Sequence, residues 1–148
     1  LNRKIKNVIN DVYKSLDKEY ENKINIIFDP KEVINVIADE DRIYQVVSNL
    51  LNNAIKFTEN GTIIVTTNLN NINNKYKEAI VNITDNGKGI DPEVIPKLFS
   101  KFTTTSYSGT GLGLFISKGI IENHGGKIWA RNNSNGKGAC FSFSLPAV

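Results

Sequence analysis

The sequence predicts a two-layer α/β (α+β) sandwich, in which a mixed β-sheet is packed on one face by three main helices. Three observations lead to this fold class. The chain has 148 residues, which is the size of one domain with a single core. Segments with apolar residues at helical spacing alternate with short segments rich in β-branched residues. The sequence shows no internal repeat.

The chain begins with one predicted helix and two predicted strands. Apolar side chains recur at steps of three and four over residues 1–20, which predicts an amphipathic helix. The segment "KINIIFD" (23–29) predicts a strand, and "VINVIAD" (33–39) predicts a second one. The expected organisation is therefore an N-terminal helix over residues 1–20, followed by one domain over residues 21–148.

A long helix is predicted from Asp39 to about Phe57. Asp39 is suited to be the N-cap, and the acidic residues Glu40 and Asp41 favour the positive end of a helix. Apolar residues form one core-facing stripe along the helix: Ile43, Val46, Val47, Leu50, Leu51, Ala54 and Ile55.

The middle of the chain predicts a hairpin, a short helix and a loop. The segments "GTIIVTTNL" (61–69) and "YKEAIVNITD" (76–85) are predicted strands, joined by the polar turn "NNINNK". A short helix is expected over residues 91–99, with Pro92 near its first turn. Residues 100–110 are rich in Ser and Thr and show little periodicity, so we expect a mobile loop.

The last part of the chain predicts another helix and two strands. The helix is expected over residues 111–123 and ends before Gly125–Gly126. The segments "KIWARNN" (127–133) and "ACFSFSL" (139–145) are predicted strands around the turn "SNGKG".

Composition limits the classes of function. The net charge is +3 with both signs interspersed, so we expect no nucleic-acid binding. No apolar run approaches the roughly 20 residues of a membrane span, and we expect a cytoplasmic domain without membrane contact of its own. The chain starts at Leu1 and contains no Met, which suggests a domain cut from a longer protein. Cys140 lies in an apolar run, where a small core residue is a simpler interpretation than a nucleophile.

The predicted long helix carries a polar stripe on a second face. Its members fall at steps of three and four: Arg42, Gln45, Asn49, Asn53 and Lys56. Asn is unfavourable inside helices, because its side chain competes for local backbone groups. An amide oxygen of Asn53 could hold Mg²⁺ and leave positions for water and phosphate, with Lys56 one turn away as a phosphate ligand. The alternative is a solvated helix face in an Asn-rich protein.

The segment "DNGKGI" (85–90) follows a predicted strand. Asp85 ends that strand, and Gly87 and Gly89 permit the backbone to approach a flat ligand closely. A buried carboxylate there could accept a hydrogen bond from an exocyclic amine such as that of adenine. Ordinary turn chemistry explains the Asn-Gly pair equally well.

The segment "GTGLGL" (109–114) leads directly into a predicted helix. Glycine N–H groups and a helix N-terminus together form an anion site. The segment is not a P-loop, which needs a Lys-Ser/Thr pair, and not a dinucleotide fingerprint, which needs a preceding strand. By itself it could also be a plain helix start.

Four motifs therefore occur in a defined order: "NLLNNAIKFT", "DNGKGI", "LFSKF" and "GTGLGLFISK". This order resembles the N, G1, F and G2 boxes in the ATP-binding catalytic domain of sensor histidine kinases. These domains belong to the GHKL superfamily, with DNA gyrase, MutL-type repair proteins and heat-shock chaperones. The resemblance covers roughly residues 20–146, including the glycine-containing last strand, and implies the Bergerat ATP-binding fold.

The resemblance implies that one end of the site binds adenine. Asp85 would accept the hydrogen bond of the adenine amine. Gly87 and Gly89 would give the base room, and Ile90 would pack on it. Phe57 would lie near the ribose or the base.

The resemblance also implies a phosphate end. Asn53 would bind the Mg²⁺ that bridges the ATP phosphates, Asn49 would support the phosphate side, and Lys56 would contact phosphate. Phe99 and Phe102 would anchor one end of a mobile lid. The other end of the lid would consist of the G2 residues Gly109, Thr110, Gly111, Leu112, Gly113 and Leu114.

The implied reaction is transfer of the ATP γ-phosphate to a histidine on a separate dimerisation and phosphoacceptor domain, with a response regulator as an indirect partner. The ATP-hydrolysing relatives have Glu four residues before the Mg²⁺-binding Asn, whereas this chain has Asn49, which cannot act as a general base. Residues 1–20 would then be the end of the connection to the phosphoacceptor domain. The alternatives are a degenerate nucleotide-binding docking module without transfer and a GHKL-type ATPase.

The chain departs from the family pattern in two places. Many relatives carry a basic residue in or just after the F box, whereas this segment offers only Lys101 and hydroxyl groups. The only histidine, His124, lies at the end of the predicted G2 helix before two glycines. A helix-capping role explains it more simply than a role as phosphoacceptor.

Overall fold

The computed structural model of the protein describes residues 1–16, 23–103 and 111–148 and contains a five-stranded mixed sheet. In chain order the strands are β1 (Ile24–Pro30), β2 (Gly61–Asn71), β3 (Lys77–Asp85), β4 (Ile128–Asn132) and β5 (Ala139–Pro146). Within the described ranges the α-helices are α1 (Asn2–Ser15), α2 (Glu40–Phe57) and α3 (Gly113–Asn123). The predicted fold class is confirmed, because the three helices and the mixed sheet form the expected two layers.

The sheet has the spatial order β1-β2-β3-β5-β4. β1 runs parallel to β2, whereas the other neighbouring strands are antiparallel, and β2 with β3 forms the predicted hairpin. A parallel pair needs a crossover connection, and here the crossover contains α2. As a result the end of α2 lies beside the loop that follows β3, where the Lys88 N–H donates to the Phe57 carbonyl oxygen at 3.4 Å.

One hydrophobic core joins the sheet and the helices. Alternate residues of β3 are buried, as expected for a strand with one covered face. The predicted apolar stripe of α2 is buried along its whole length. α1 contributes the fully buried Ile5 and Val8 to the same core. Burying one such side chain contributes about 1.5–3 kcal/mol to the free energy of unfolding. None of the helices in the described ranges is long and apolar enough to cross a bilayer.

α2 begins and ends where the sequence predicts. Asp39 Oδ1 accepts hydrogen bonds from the N–H groups of Asp41 at 3.0 Å and Arg42 at 3.1 Å. Such an N-cap stabilises a helix by about 1 kcal/mol. At the other end the Thr58 N–H bonds to the Ile55 carbonyl and closes the last turn. The polar stripe is therefore held on a well-defined helix.

The prediction of a strand over residues 33–39 is wrong. Only Val36 forms an isolated β-bridge, with Ala147. Val33 and Ile37 are each 85% exposed, whereas Ile34 is 2% exposed and Val36 and Ala38 pack against the core, so the segment has one covered face although it forms no strand. The segment has β-like composition but lacks a neighbouring strand along most of its length, and strand stability comes from such neighbours.

The helix predicted over residues 91–99 is shorter than expected. A 3₁₀ turn spans only Ile95–Lys97. Pro96 lies in this segment and cannot donate an N–H to a helical carbonyl, which prevents a regular α-helix. Helices α1 and α3 are also shorter than predicted. α1 ends at Ser15, although residues 17–22 are outside the described residues, and α3 begins at Gly113 instead of residue 111.

Candidate functional site

A buried carboxylate lies at the end of β3. Asp85 is 2% exposed, because the strand alternation that buries Val81 and Ile83 also turns its side chain toward the core. Oδ1 accepts hydrogen bonds from the N–H groups of Gly87 at 2.9 Å and Ala139 at 3.3 Å. Oδ2 is buried and has no hydrogen-bond partner among the described residues.

The environment of Asp85 favours a ligand that donates a hydrogen bond. Burial raises the pKa of the Asp85 carboxyl, while the N–H groups of Gly87 and Ala139 act in the opposite direction. A buried acceptor without a partner costs about 1–3 kcal/mol. A donor such as an exocyclic amine would remove that cost, so Oδ2 fits the adenine contact expected for this residue.

The glycines after Asp85 have structural reasons of their own. A Cβ atom on Gly87 would overlap the Phe57 carbonyl oxygen, so only glycine lets this loop lie against the end of α2. Gly89 has a φ of +78°, which favours glycine, and a Cβ atom there would lie 3.0 Å from Asn132 Oδ1. The role expected of these glycines, to make room for a base, stays a prediction.

Two asparagines that the motifs did not include hold the same loop. The Asn132 side chain accepts from the Ile90 N–H at 2.7 Å and donates to the Ile90 carbonyl at 2.8 Å. Asn133 Nδ2 donates to the Asp85 carbonyl at 2.7 Å. The sequence does contain a signal for these two residues. They are successive Asn residues in front of a turn that already has its own Asn and glycines, so the turn itself does not require them. These side chains fix the backbone at Asp85 and at Ile90, the two ends of the loop.

Phe57 lies at the end of α2 beside this loop. Lys88 Nζ is 5.0 Å from the centroid of the Phe57 ring, which is within the range of a cation–π contact. Lys88 is the residue between Gly87 and Gly89 and was not among the predicted site residues. The contact places the positive charge of Lys88 beside the C-terminal end of α2.

The predicted phosphate end lies on the C-terminal half of α2. Asn53 is partly buried, and its Nδ2 is a buried atom with no partner in the parts of the chain that the structure describes. Lys56 follows about one turn later and is exposed. The unpartnered atom is a donor, which cannot bind a metal ion, whereas the amide oxygen of Asn53 is of the kind that Mg²⁺ binds. The ligand-binding interpretation of the stripe therefore stays a prediction.

Asn49 differs from Asn53, because its amide already bonds to the protein. Its Nδ2 lies 3.4 Å from the Gly113 carbonyl and 3.3 Å from Ser117 Oγ. Asn49 therefore joins α2 to the first turns of α3. Ser117 is fully buried. The motifs do not include it, since a single Ser in an apolar helix carries no distinctive pattern.

The two flanks of the predicted lid are hydrogen-bonded to each other. The Phe102 N–H donates to the Gly111 carbonyl at 2.8 Å. Both residues have positive φ, +64° for Phe102 and +72° for Gly111, and a Cβ atom on Gly111 would overlap the Phe102 backbone. Gly109 and Thr110, with most of the loop predicted over residues 100–110, lie outside the described residues.

The F box places its two aromatic rings in different environments. Phe99 packs edge-on against Phe141 of β5, with ring centroids 6.5 Å apart. Phe102 is 66% exposed. Lys101 Nζ lies 5.4 Å from the Phe102 ring centroid and 5.9 Å from that of Phe115 on α3. Among the remaining G2 residues, Leu112 precedes the first helical residue and Leu114 packs against the core.

A groove of about 670 Å³ runs along α3 and the 3₁₀ turn, and Asp85, Asn53 and Lys56 do not line it. Phe115 and Ile116 are its most exposed apolar residues, at 43% and 39%. The groove is therefore a different surface from the nucleotide site expected at Asp85 and Asn53.

Residues 38–148 match the family model described as histidine kinase-, DNA gyrase B-, and HSP90-like ATPase. The chain is 36% identical over 148 residues to the sensor protein KdpD of Clostridium acetobutylicum, which covers 96% of this chain and 16% of KdpD. It is 42% identical over 115 residues to the sensor protein FixL of Bradyrhizobium diazoefficiens, which covers 76% of this chain and 22% of FixL. The chain thus spans less than a quarter of the length of either relative.

Solved structures give the same result. The nucleotide-free catalytic domain of the histidine kinase ThkA is 38% identical, with a TM-score of 0.81, and the match covers 99% of this chain and 91% of that chain. ThkA in complex with the response regulator protein TrrA is 33% identical, with a TM-score of 0.78, over 100% of this chain and 40% of that chain. The chain therefore belongs to the histidine kinase-, DNA gyrase B- and HSP90-like ATPase family, as a catalytic domain of the sensor histidine kinase type.

Proposed function

We propose that this domain binds ATP with Mg²⁺ and transfers the γ-phosphate to a histidine on a separate helical domain of its parent kinase. The observation that favours transfer of the γ-phosphate over hydrolysis of ATP is the amide side chain at position 49. Hydrolysing relatives resemble one another in having Glu there, whereas an amide cannot act as a general base. The Asn49 Nδ2 is moreover directed to Gly113 and Ser117, so this side chain serves to position α3.

At the adenine end, we assign Asp85 as the acceptor of the exocyclic amine. Its Oδ2, which has no partner within residues 1–16, 23–103 and 111–148, supplies the acceptor. Its Oδ1 is held by two backbone N–H groups, so the carboxylate does not have to reorganise on binding. Gly87, Gly89 and Ile90 would line the base. Phe57 would lie beside the ribose or the base.

At the phosphate end, we assign Asn53 as the Mg²⁺ ligand and Lys56 as a phosphate ligand. Mg²⁺ would neutralise charge on the phosphates when bound. Asn49 would support this end by holding α3 in place. The backbone of the G2 segment would complete it, through Gly109, Thr110, Gly111, Leu112, Gly113 and Leu114, with Phe99 and Phe102 at the other end of the lid.

In the proposed reaction an unprotonated imidazole nitrogen of the acceptor forms a bond to the γ-phosphorus. The bond between that phosphorus and the bridging oxygen breaks, and ADP leaves with the bonding electron pair. The domain contributes mainly positioning and charge neutralisation. His124 is not placed to be the acceptor, because its ring nitrogens lie within hydrogen-bond distance of the Ile120 carbonyl and the Asp39 N–H.

The groove along α3 is the surface that we propose for the helical phosphoacceptor domain. Its exposed apolar residues, Phe115 and Ile116, directly follow the glycine-rich start of α3, so a helix docked there would bring its histidine toward the phosphate end. We also propose residues 1–20 as the end of the connection to that domain and residues 21–148 as the ATP-binding domain. By similarity to ThkA with TrrA, a response regulator would be the indirect partner.

Phosphotransfer to the helical domain tests this function. Mixing the purified chain with the dimerisation domain of its parent kinase and Mg-ATP should yield acid-labile phosphohistidine on that domain. A dimerisation domain whose acceptor histidine is replaced by alanine is the matched control. ATP binding without transfer would instead identify a nucleotide-binding docking module, and robust steady-state hydrolysis by the isolated chain would identify a GHKL-type ATPase.

A further inference from the structure

The imidazole of His124 joins the C-terminal end of α3 to the N-terminus of α2. His124 Nδ1 lies 2.7 Å from the Ile120 carbonyl oxygen, and Nε2 accepts a hydrogen bond from the Asp39 backbone N–H at 3.1 Å. A carbonyl can only accept and an amide N–H can only donate. The two partners therefore select the neutral tautomer that carries its proton on Nδ1 and its lone pair on Nε2.

This contact is one of two polar links along the same helix pair. Asn49 meets Gly113 and Ser117 at the start of α3, and His124 meets Asp39 at its end. The two helices are therefore antiparallel. At 1.5 Å per residue, the span from residue 39 to residue 49 is about 15 Å. Apolar surfaces alone set the lengthwise register of two helices weakly, whereas polar contacts specify it.

We propose that His124 is a positioning residue, which as the neutral Nδ1–H tautomer fixes α3 lengthwise against α2, and that protonation of its ring releases this contact. Protonation would place an N–H on Nε2 directly opposite the Asp39 N–H, so the acceptor would be lost.

Charged side chains of both signs lie close in sequence to the contact. The carboxylates Asp39, Glu40 and Asp41 at the start of α2 and Glu122 near the end of α3 could pair with the protonated ring, whereas the cations Arg42 and Lys127 would repel it. Asp39 Oδ1 already accepts two N–H groups of α2, and Glu40 forms an ion pair with Lys4 of α1 at 3.2 Å. The acidic first turn of α2 would attract an imidazolium away from the Asp39 N–H.

The consequence for the nucleotide rests on the proposed function. α2 carries Asn53 and Lys56, and α3 begins with Gly113. The register of the two helices thus sets the relative position of the two sides of the phosphate end. The tautomer of His124 and its contact with Asp39 do not depend on nucleotide binding.

NMR of the ¹⁵N-labelled chain tests the tautomer and its release. At neutral pH, ring correlations should show a protonated Nδ1 and an unprotonated Nε2. On acidification, the backbone amide shift of Asp39 should follow the titration of the ring. The Asp39→Asn variant removes the carboxylate but keeps the backbone N–H, and the amide should still follow the ring. A proton on Nε2 at neutral pH would overturn the proposal. So would an Asp39 amide shift that stays constant while the ring becomes protonated.

Matched variants test the positioning role. His124→Phe fills the space without an acceptor, whereas His124→Gln keeps an acceptor that does not titrate, and Glu122→Gln changes an exposed neighbour. Loss of one hydrogen bond should accelerate amide exchange at Gly113 and Ser117 and weaken Mg-ATP binding about three- to tenfold in His124→Phe. His124→Gln should stay near wild type and lose the pH response. Unchanged exchange in His124→Phe would refute positioning, whereas absence of ATP binding in every variant would refute only the proposed function.

Discussion

The two ends of the proposed nucleotide site are built differently. At the end around Asp85, backbone N–H groups hold the buried carboxylate, and the side chains of Asn132 and Asn133 hold the loop beside it. The end around Asn53 and Lys56 consists of side chains on the surface of one helix, next to a lid whose middle lies outside the described residues.

This difference predicts two kinds of binding energy. A preorganised acceptor such as Asp85 loses little entropy when a ligand arrives, whereas an exposed Lys side chain must be ordered by the ligand. We therefore expect adenine recognition to be a property of the domain alone. Phosphate recognition should depend on Mg²⁺, on the lid and on the partner domain.

The largest expected effect is the loss of ATP affinity in Asp85→Asn. The new amide would present an N–H donor where the adenine amine also donates, so one hydrogen bond to a charged acceptor is lost. Such a bond is worth about 1.5–3 kcal/mol, which corresponds to a loss of roughly 10- to 150-fold in affinity. Calorimetric titration with Mg-ATP measures it. Asp91→Asn, at an exposed carboxylate in the next segment, is the control and should bind like wild type.

The next effect concerns the packing that builds the adenine end. In Gly87→Ala the added methyl group would overlap the Phe57 carbonyl oxygen, so the loop must move away from α2. We expect the free energy of unfolding to fall by about 1–3 kcal/mol in urea denaturation. Gly119→Ala is the control, because a Cβ atom there meets open space and alanine favours a helix. Equal stability of the two variants would show that the loop is not held as described.

A smaller effect is expected at the phosphate end. Asn53→Ala should weaken Mg-ATP binding about tenfold and should remove most of the gain in affinity that Mg²⁺ gives to the wild type. Titrations with and without Mg²⁺ measure this gain directly. Asn52→Ala replaces an exposed neighbour on α2 and should retain the full Mg²⁺ dependence. A normal Mg²⁺ dependence in Asn53→Ala would remove Asn53 from the phosphate end.

The smallest effect is a gain of stability in Asp85→Asn. Burial raises the pKa of the Asp85 carboxyl above the ordinary value of 3.8, so the native state holds this proton to higher pH than the unfolded state. Wild-type stability should then fall as the pH rises from that value through the native pKa. At pH 7 the variant should be more stable than wild type, and the difference should vanish below pH 4. Urea denaturation at both pH values decides this, and a variant less stable than wild type at pH 7 would contradict it.

The sequence predicted those elements in which several local signals agree. In α2 the N-cap Asp39, the acidic first turn and the apolar period all point to the same helix, and its bounds are those expected. The segment 33–39 offered only composition, and the absence of a continuous neighbouring strand left it without a ladder. At residues 91–99 the predicted helix is shorter than expected, because Pro96 prevents a regular α-helix.

Long-range contacts explain what the sequence could not predict about the site. Gly87 is required by the carbonyl of Phe57, and the Asp85 carbonyl is held by Asn133. These partners are distant along the chain, so neither propensity nor periodicity relates them. The motifs located the site residues in sequence. Only the fold reveals that Asp85 Oδ2 is buried without a hydrogen-bond partner in the described parts of the chain and that the Asn49 amide is bonded to α3.

Parallel titrations with adenosine and Mg-ATP, followed by amide shifts in NMR, test the two-ended site most directly. Wild type, Asp85→Asn and Asn53→Ala are compared with both ligands. We predict that Asp85→Asn weakens both ligands by a similar factor, whereas Asn53→Ala weakens only Mg-ATP. Adenosine binding that is unchanged in Asp85→Asn, or that is lost equally in Asn53→Ala, would contradict the assignment of the two ends.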